Sequence, residues 1–311
     1  MPAPIRQTDS HGFPLPTRFD EPDPIVRRGV GAYHRRIRWI VVSILAVVLV
    51  MLIARSPLAK QGRLAMAQYH ATRAQQRALA DDYNGALSEI DRAIAWSRDT
   101  GALHRFRGQL NVEVDDLDQA VVDYSKALEL MPSEATAAEV QIRLERSMVY
   151  QRLRKVDAAL EDLNKAAKRQ PQDPRILNAR AYARAVFEVE VAEALVDIQQ
   201  ALKASSGAEN AAFLDTRGYV YFRLEKYDEA LKDIQAAIRQ TEEDRQQVLN
   251  VLGNRKNDVA TRRLLEQFSH DLAVMYHHRG EIYEKQGNKK GAEADLRKAD
   301  ELGFDFDAGV F

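Results

Sequence analysis

Apolar and polar residues fall into three regimes along this chain. From Trp39 to Ala54 the order WIVVSILAVVLVMLIA runs sixteen residues with one hydroxyl and no charge. Ahead of it, residues 1–38 show no apolar periodicity, and six of the ten prolines fall within the first 24 positions. Each proline ring removes a backbone donor, so this part reads as a disordered tail. Behind it, apolar residues recur at spacings of three and four in stretches of a dozen or so, separated by short polar turns. That spacing predicts successive pairs of amphipathic helices.

The sixteen-residue run predicts a membrane anchor over 39–55. As a helix it spans roughly 24 Å against the ~30 Å of a hydrocarbon core. Snorkelling of Arg38 and Arg55 and interfacial seating of Trp39 make up the difference. A core helix would rarely be apolar on every face, and a signal peptide seldom follows a 38-residue leader. Five arginines (27, 28, 35, 36 and 38) precede the span and Arg55, Lys60 and Arg63 follow it. The positive-inside rule then sets the N-terminus in the cytoplasm and exports the larger C-terminal part, to a periplasm if the cell is bacterial. Residues 56–66 read as a linker.

Small residues mark the register of the helical part. In RGEIYEKQGNKKGAEADLRKA, Gly280, Tyr283, Ala292 and Ala299 repeat the spacing of Gly218, Tyr221, Ala230 and Ala237 in RGYVYFRLEKYDEALKDIQAA. The small residue opening each second helix gives the series Ala86, Ala120, Ala159, Ala194, Ala230 and Ala292, with steps of 34, 39, 35, 36 and 62 residues. A period near 34 with two amphipathic helices per copy resembles the tetratricopeptide repeat family. The resemblance covers about residues 64–304 in six copies, although the aromatic near the start of the first helix is mostly missing and only two copies keep the closing proline. It implies an all-α fold: an α-solenoid of about six helical hairpins over 67–305, preceded by one N-terminal transmembrane helix and followed by a short tail, 306–311.

The 62-residue step contains a second pattern. Val248, Val251 and Leu252 face Val259, Leu264, Leu265 and Phe268 across GNRKND, with Asn257 as a candidate cap. This predicts that the fifth copy's second helix and the sixth copy's first are prolonged into a projecting antiparallel arm, 241–269.

Composition narrows the chemistry. With 45 basic and 46 acidic residues, the chain lacks the charge of a nucleic-acid reader. It has no cysteine, so disulfides, thiolate metal sites and thiol nucleophiles are excluded. Phosphate loops, HExxH and GxSxG are missing, and His270, His277 and His278 lack a carboxylate to complete a metal site. No cofactor, metal, catalytic group or small-molecule substrate is therefore expected.

What the resemblance implies is ligand binding by the inner face, which the first helices line. Carried onto this chain, that face holds Arg105 and Gln109 in the second copy, and Gln141, Leu144 and Met148 in the third. It continues with Asn178 and Tyr182 in the fourth copy, Asp215, Tyr219 and Phe222 in the fifth, and His277 in the sixth. An apolar and aromatic middle with a few amides suits an extended or helical peptide. Gln109, Met148 and Tyr182 stand where the family's carboxylate clamp would want asparagine, which disfavours chaperone-tail binding. The expectation is a membrane-anchored scaffold that binds protein or peptide partners without catalysis. The alternative is a structural subunit or assembly factor of an envelope complex, using the arm and convex face as obligate interfaces. Exposed apolar residues at the arm tip would favour it.

Overall fold

The computed structural model describes residues 10–11, 40–48, 51, 57–97, 100–132, 134, 136–205, 210–252 and 259–304, and among them every regular element is α-helix. The chain divides into two compact units, Met1–Leu64 and Ala65–Phe311. In the first, α1 is described over residues 40–48, where Ile40, Ile44 and Leu45 are each more than half exposed. Among the described residues no helix is long and apolar enough to cross a membrane. Of the expected span only 40–48 and 51 are described; nearly all of the tail 1–38, the C-terminal 306–311 and the arm tip 253–258 with Asn257 lie outside the described residues. α2 (Pro57–Leu79) occupies most of the segment read as a linker. Proline at a helix's first position loses no hydrogen bond, and Gly62 is the one breaker that follows, so this stretch is helical.

The second unit is a stack of helical hairpins. α2 pairs with α3 (Tyr83–Trp96), α4 (Gly101–Glu113) with α5 (Leu117–Glu129), and α6 (Thr136–Arg152) with α7 (Val156–Arg169). α8 (Pro174–Val186) pairs with α9 (Val191–Ala204), α10 (Ala211–Arg223) with α11 (Tyr227–Leu252), and α12 (Val259–Lys285) with α13 (Lys289–Glu301). Each second helix also packs on the first helix of the next hairpin, so no hairpin buries its apolar stripe alone. The largest apolar cluster spans the last three hairpins, with Leu177, Ile198, Val220, Ile234 and Ile282 fully buried.

The small residues act as seats. A Cβ on Gly108 would meet the Tyr124 ring at 3.1 Å, on Gly218 Cγ1 of Ile234 at 2.5 Å, and on Gly280 Cδ2 of Leu296 at 2.8 Å. In each case the residue seated lies sixteen further along, on the partner helix. One position earlier on both helices runs a second pairing that is polar: Arg107 with Asp123, Arg146 with Asp162, Arg217 with Asp233 and Arg279 with Asp295. The fourth hairpin keeps it as Arg180 with Asp197, its turn being one residue longer. Three of these guanidiniums also reach back to the preceding hairpin, at Asp91, Ser125 and Asn164. The turns within hairpins repeat too: Asp82, Asp116 and Asn288 cap the helices they precede, and Asp81, Asp115 and Gly287 before them adopt left-handed φ of 59°, 61° and 75°.

α11 and α12, at 26 and 27 residues, overrun the 13–17 of the helices from α3 to α10. Their prolongations are tied by the Tyr276 hydroxyl, which donates to Glu242 at 2.7 Å, and by Thr241 Oγ1, which stands 3.6 Å from Met275 Sδ. These prolongations are the segments of the expected arm, and Arg262 and Arg263 of α12 contact Asp81 and the Ala78 carbonyl in the first hairpin.

Candidate functional site

The first helices of the hairpins carry the residues expected on the inner face, and the structure sorts them into two environments. Arg105 and Gln109 lie one turn apart on α4, and Gln141 lies on α6. All three converge on one carboxylate: Arg105 is bidentate to Glu145 at 2.5 and 2.8 Å, and Gln109 and Gln141 each donate to it at 3.1 Å. The Glu145 hydrogen bond pushes the Arg105 guanidinium's pKa up against the opposing effect of partial burial. An open groove of about 430 Å3 begins at this network, lined also by Gln75 from α2, Phe106, Met131 and Pro132. Met148, two-fifths exposed, stands one turn beyond Leu144 on α6, while Leu144 packs half-buried against the Val140 and Ile176 cluster.

The second environment is closed. Tyr182, Tyr219, Phe222 and Asp215 are each less than a tenth exposed. Tyr219 stacks on His278 at 4.0 Å between ring centroids, with Tyr182 6.1 Å from both rings and Phe222 5.7 Å from Tyr219. The Asp215 carboxylate takes the Nδ1 of His278 at 3.0 Å. Arg223 covers the cluster, 4.9 Å above the Tyr219 ring and donating to its hydroxyl. Burial pushes the Tyr182 and Tyr219 phenols well above their ordinary range, so both stay protonated donors. The aromatic residues read from the sequence as groove surface are therefore packed between α8, α10 and α12. Asn178 on α8 keeps a buried Oδ1 with no hydrogen-bond partner among the described residues.

His277 is stacked on Phe304 at 4.0 Å between ring centroids and lies edge-on to His278 at 6.5 Å. Burial, with His278 nearby, pushes its pKa down to about 4. It is thus neutral near pH 7, and its 3.8 Å approach to Glu281 is a neutral contact rather than an ion pair. Among the described residues no group of histidines and carboxylates is arranged to hold a metal.

Two residues of this region escape a reading by helical face. Glu145 sits one position past Leu144, although two amides and a guanidinium on facing positions call for an acceptor. His278 sits one past His277, and its signal is the buried Asp215, which needs a partner.

The tetratricopeptide repeat family model matches residues 140–173, 211–244 and 273–302. The gap between the last two matches contains the prolonged parts of α11 and α12. Among solved structures, the chain is similar to a tetratricopeptide repeat protein from Parabacteroides merdae, at 18% identity over 78% of this chain and 94% of that one, with a TM-score of 0.53. It is similar to a chain of the crystallised APC/C hetero-tetramer at 16% identity over 82% of this chain and 45% of that one, with a TM-score of 0.50. A third likeness is to MamA from Desulfovibrio magneticus, at 16% identity over 56% of this chain and 94% of that one, TM-score 0.49. No curated protein matches the chain. The fold is that of a tetratricopeptide-repeat solenoid.

Proposed function

We propose that the chain is a non-catalytic scaffold that takes a protein or peptide segment into the inner face of its second and third hairpins. The observation that carries this reading is the contrast between the two environments: the groove that Arg105 and Gln109 line is open, whereas the aromatic cluster is filled by its own neighbours. A network fixed by one carboxylate presents Arg105, Gln109 and Gln141 in set orientations, beside Met148 as an adaptable apolar contact. Residues 39–55 hold the scaffold at a membrane, with the N-terminus cytoplasmic and the solenoid exported. The uncharged run and the arginines ahead of it support this.

The test is photocrosslinking from two positions of the full chain in its native membranes. A photoreactive residue at Met148 gives a discrete adduct that Glu145→Ala weakens, and one at Val196, an exposed position on α9, gives none. Equal labelling from both, or none from Met148, overturns the groove. A reporter active only outside the cytoplasm, fused after Phe311, tests the orientation.

A second reading is favoured by the arm. Val251 is 86% exposed and Leu264 42%, apolar surface that suits a permanent interface in an envelope assembly. Adducts concentrated at Val251 and absent from Met148 would select it.

A further inference from the structure

The sequence separates Asp81 from Arg263 by 182 residues, and the fold brings them together. Asp81 lies in the turn between α2 and α3, and Arg262 and Arg263 lie on the prolonged part of α12. One carboxylate receives both guanidiniums, Oδ2 from Arg262 at 2.5 Å and Oδ1 from Arg263 at 2.8 Å. Arg263 also donates at 2.7 Å to the carbonyl of Ala78, one of the last carbonyls of α2, which have no partner within their own helix. Glu113, from the second hairpin, adds to the negative field at Arg263. The contact is polar and wet: the side chains of Asp81, Arg262 and Arg263 are 43%, 49% and 37% exposed.

We propose that the prolonged α11–α12 pair is an ionic latch that fastens the sixth hairpin to the first, and that salt opens it. Exposed ion pairs each shift an equilibrium by only a few-fold, so two pairs and one carbonyl bond hold the closed state without locking it. They are also the class of contact that salt screens, the Debye length falling from about 10 Å at 0.1 M to about 3 Å at 1 M. At the arm's base the Tyr276 to Glu242 bond and the packing of α11 on α12 do not depend on the latch, so the helices survive its release. The state that results is a solenoid whose first turn, with Asp81, Tyr83 and the end of α2, is uncovered.

The chain has no cysteine, so two introduced cysteines carry spin labels cleanly. Leu79→Cys and Gln267→Cys are exposed positions beside the contact and outside it. Distances are measured on the full chain in detergent at about 0.05 M and about 1 M NaCl. A single short distance is expected at low salt, replaced by a broad, longer distribution at high salt. Asp81→Asn, which suits the left-handed φ of 59°, is expected to show the broad distribution at low salt with its helical circular dichroism unchanged. Replacing Asp81→Arg together with Arg262→Asp and Arg263→Asp is expected to restore the short distance. A short distance insensitive to salt and to Asp81→Asn, or a broad one in the unaltered latch at low salt, would overturn the proposal.

Discussion

Arg146 and Asp162 face each other across the third hairpin as a bidentate pair, Nε to Oδ2 at 2.7 Å and Nη2 to Oδ1 at 2.8 Å. Arg143 donates to the same carboxylate at 2.9 Å, and the third nitrogen of Arg146 donates to Ser125 in the preceding hairpin. Asp162 is 2% exposed, so its removal leaves the Arg146 guanidinium partly buried without its carboxylate, while Arg143 keeps only its pair with Glu139. Breaking such a group from one side typically costs about 3–5 kcal/mol. Asp162→Ala is expected to lose about that much in urea unfolding, with protection from hydrogen exchange falling first in α6 and α7. Lys155→Ala removes an outer pair with Asp118, half exposed on one side and four-fifths on the other, and is expected to change stability by less than about 1 kcal/mol. Equal losses would mean that the inner pairs are ornaments of the stack rather than its fasteners.

Gly218 separates backbone packing from side-chain packing. A methyl there would lie 2.5 Å from Ile234 Cγ1 and 3.1 Å from the Ala230 carbonyl oxygen, and the second of these cannot rotate away. Overpacking of that kind costs about 1–3 kcal/mol, against the ~1 kcal/mol that alanine gains over glycine in a helix. Gly218→Ala is expected to lower the Tm. Gly62→Ala, where nothing lies within 4 Å, is expected to keep the propensity gain and raise it.

How much of this was legible in the sequence follows from what carries a period. The hairpins were, because Gly108, Gly218, Gly280 and their alanine partners recur with the repeat. The Arg146–Asp162 pairing recurs just as regularly, but it sits one place beside the small residues, where a search for packing does not look. Helical position alone does not say what the next helix lays on the inner face: Tyr182 and Tyr219 are buried against His278. Glu145 was missed because a one-residue shift moves a side chain to the flank of the face. The prolonged α11 and α12 announce themselves by apolar spacing, whereas their contact with Asp81 rests on charges that have no spacing at all.

His277 gives the solenoid a pH dependence of definite sign. Its ring is stacked on Phe304 and four-fifths buried, beside His278, Glu281 and Asp300, and its pKa in the fold is about 4 against 6.5 for a free histidine. Between those values the unfolded chain binds a proton that the fold does not. Stability is therefore fully present above about pH 6.5 and declines as the pH falls toward 4, by roughly 1–3 kcal/mol. Urea titrations at pH 7 and 4.5 should show this loss, and His277→Phe should remove most of it. An NMR titration of the His277 ring with a midpoint near 6.5 would overturn the assignment.

The turn after α10 supplies the last prediction. Glu225 holds a left-handed φ of 59° at the position that Gly287 fills, at φ 75°, in the sixth hairpin. Left-handed backbone costs a residue with a Cβ roughly 1–2 kcal/mol, and glycine avoids this while losing up to about 1 kcal/mol of extra unfolded-state entropy. The Glu225 side chain is exposed, so its loss removes little else. Glu225→Gly is expected to stabilise the chain by about 0.5–1 kcal/mol, and Gly287→Ala, its mirror experiment, to destabilise it by a similar amount. Both are read from urea midpoints at constant m-value. A loss on Glu225→Gly would mean that its carboxylate, and not its backbone, is what the turn uses.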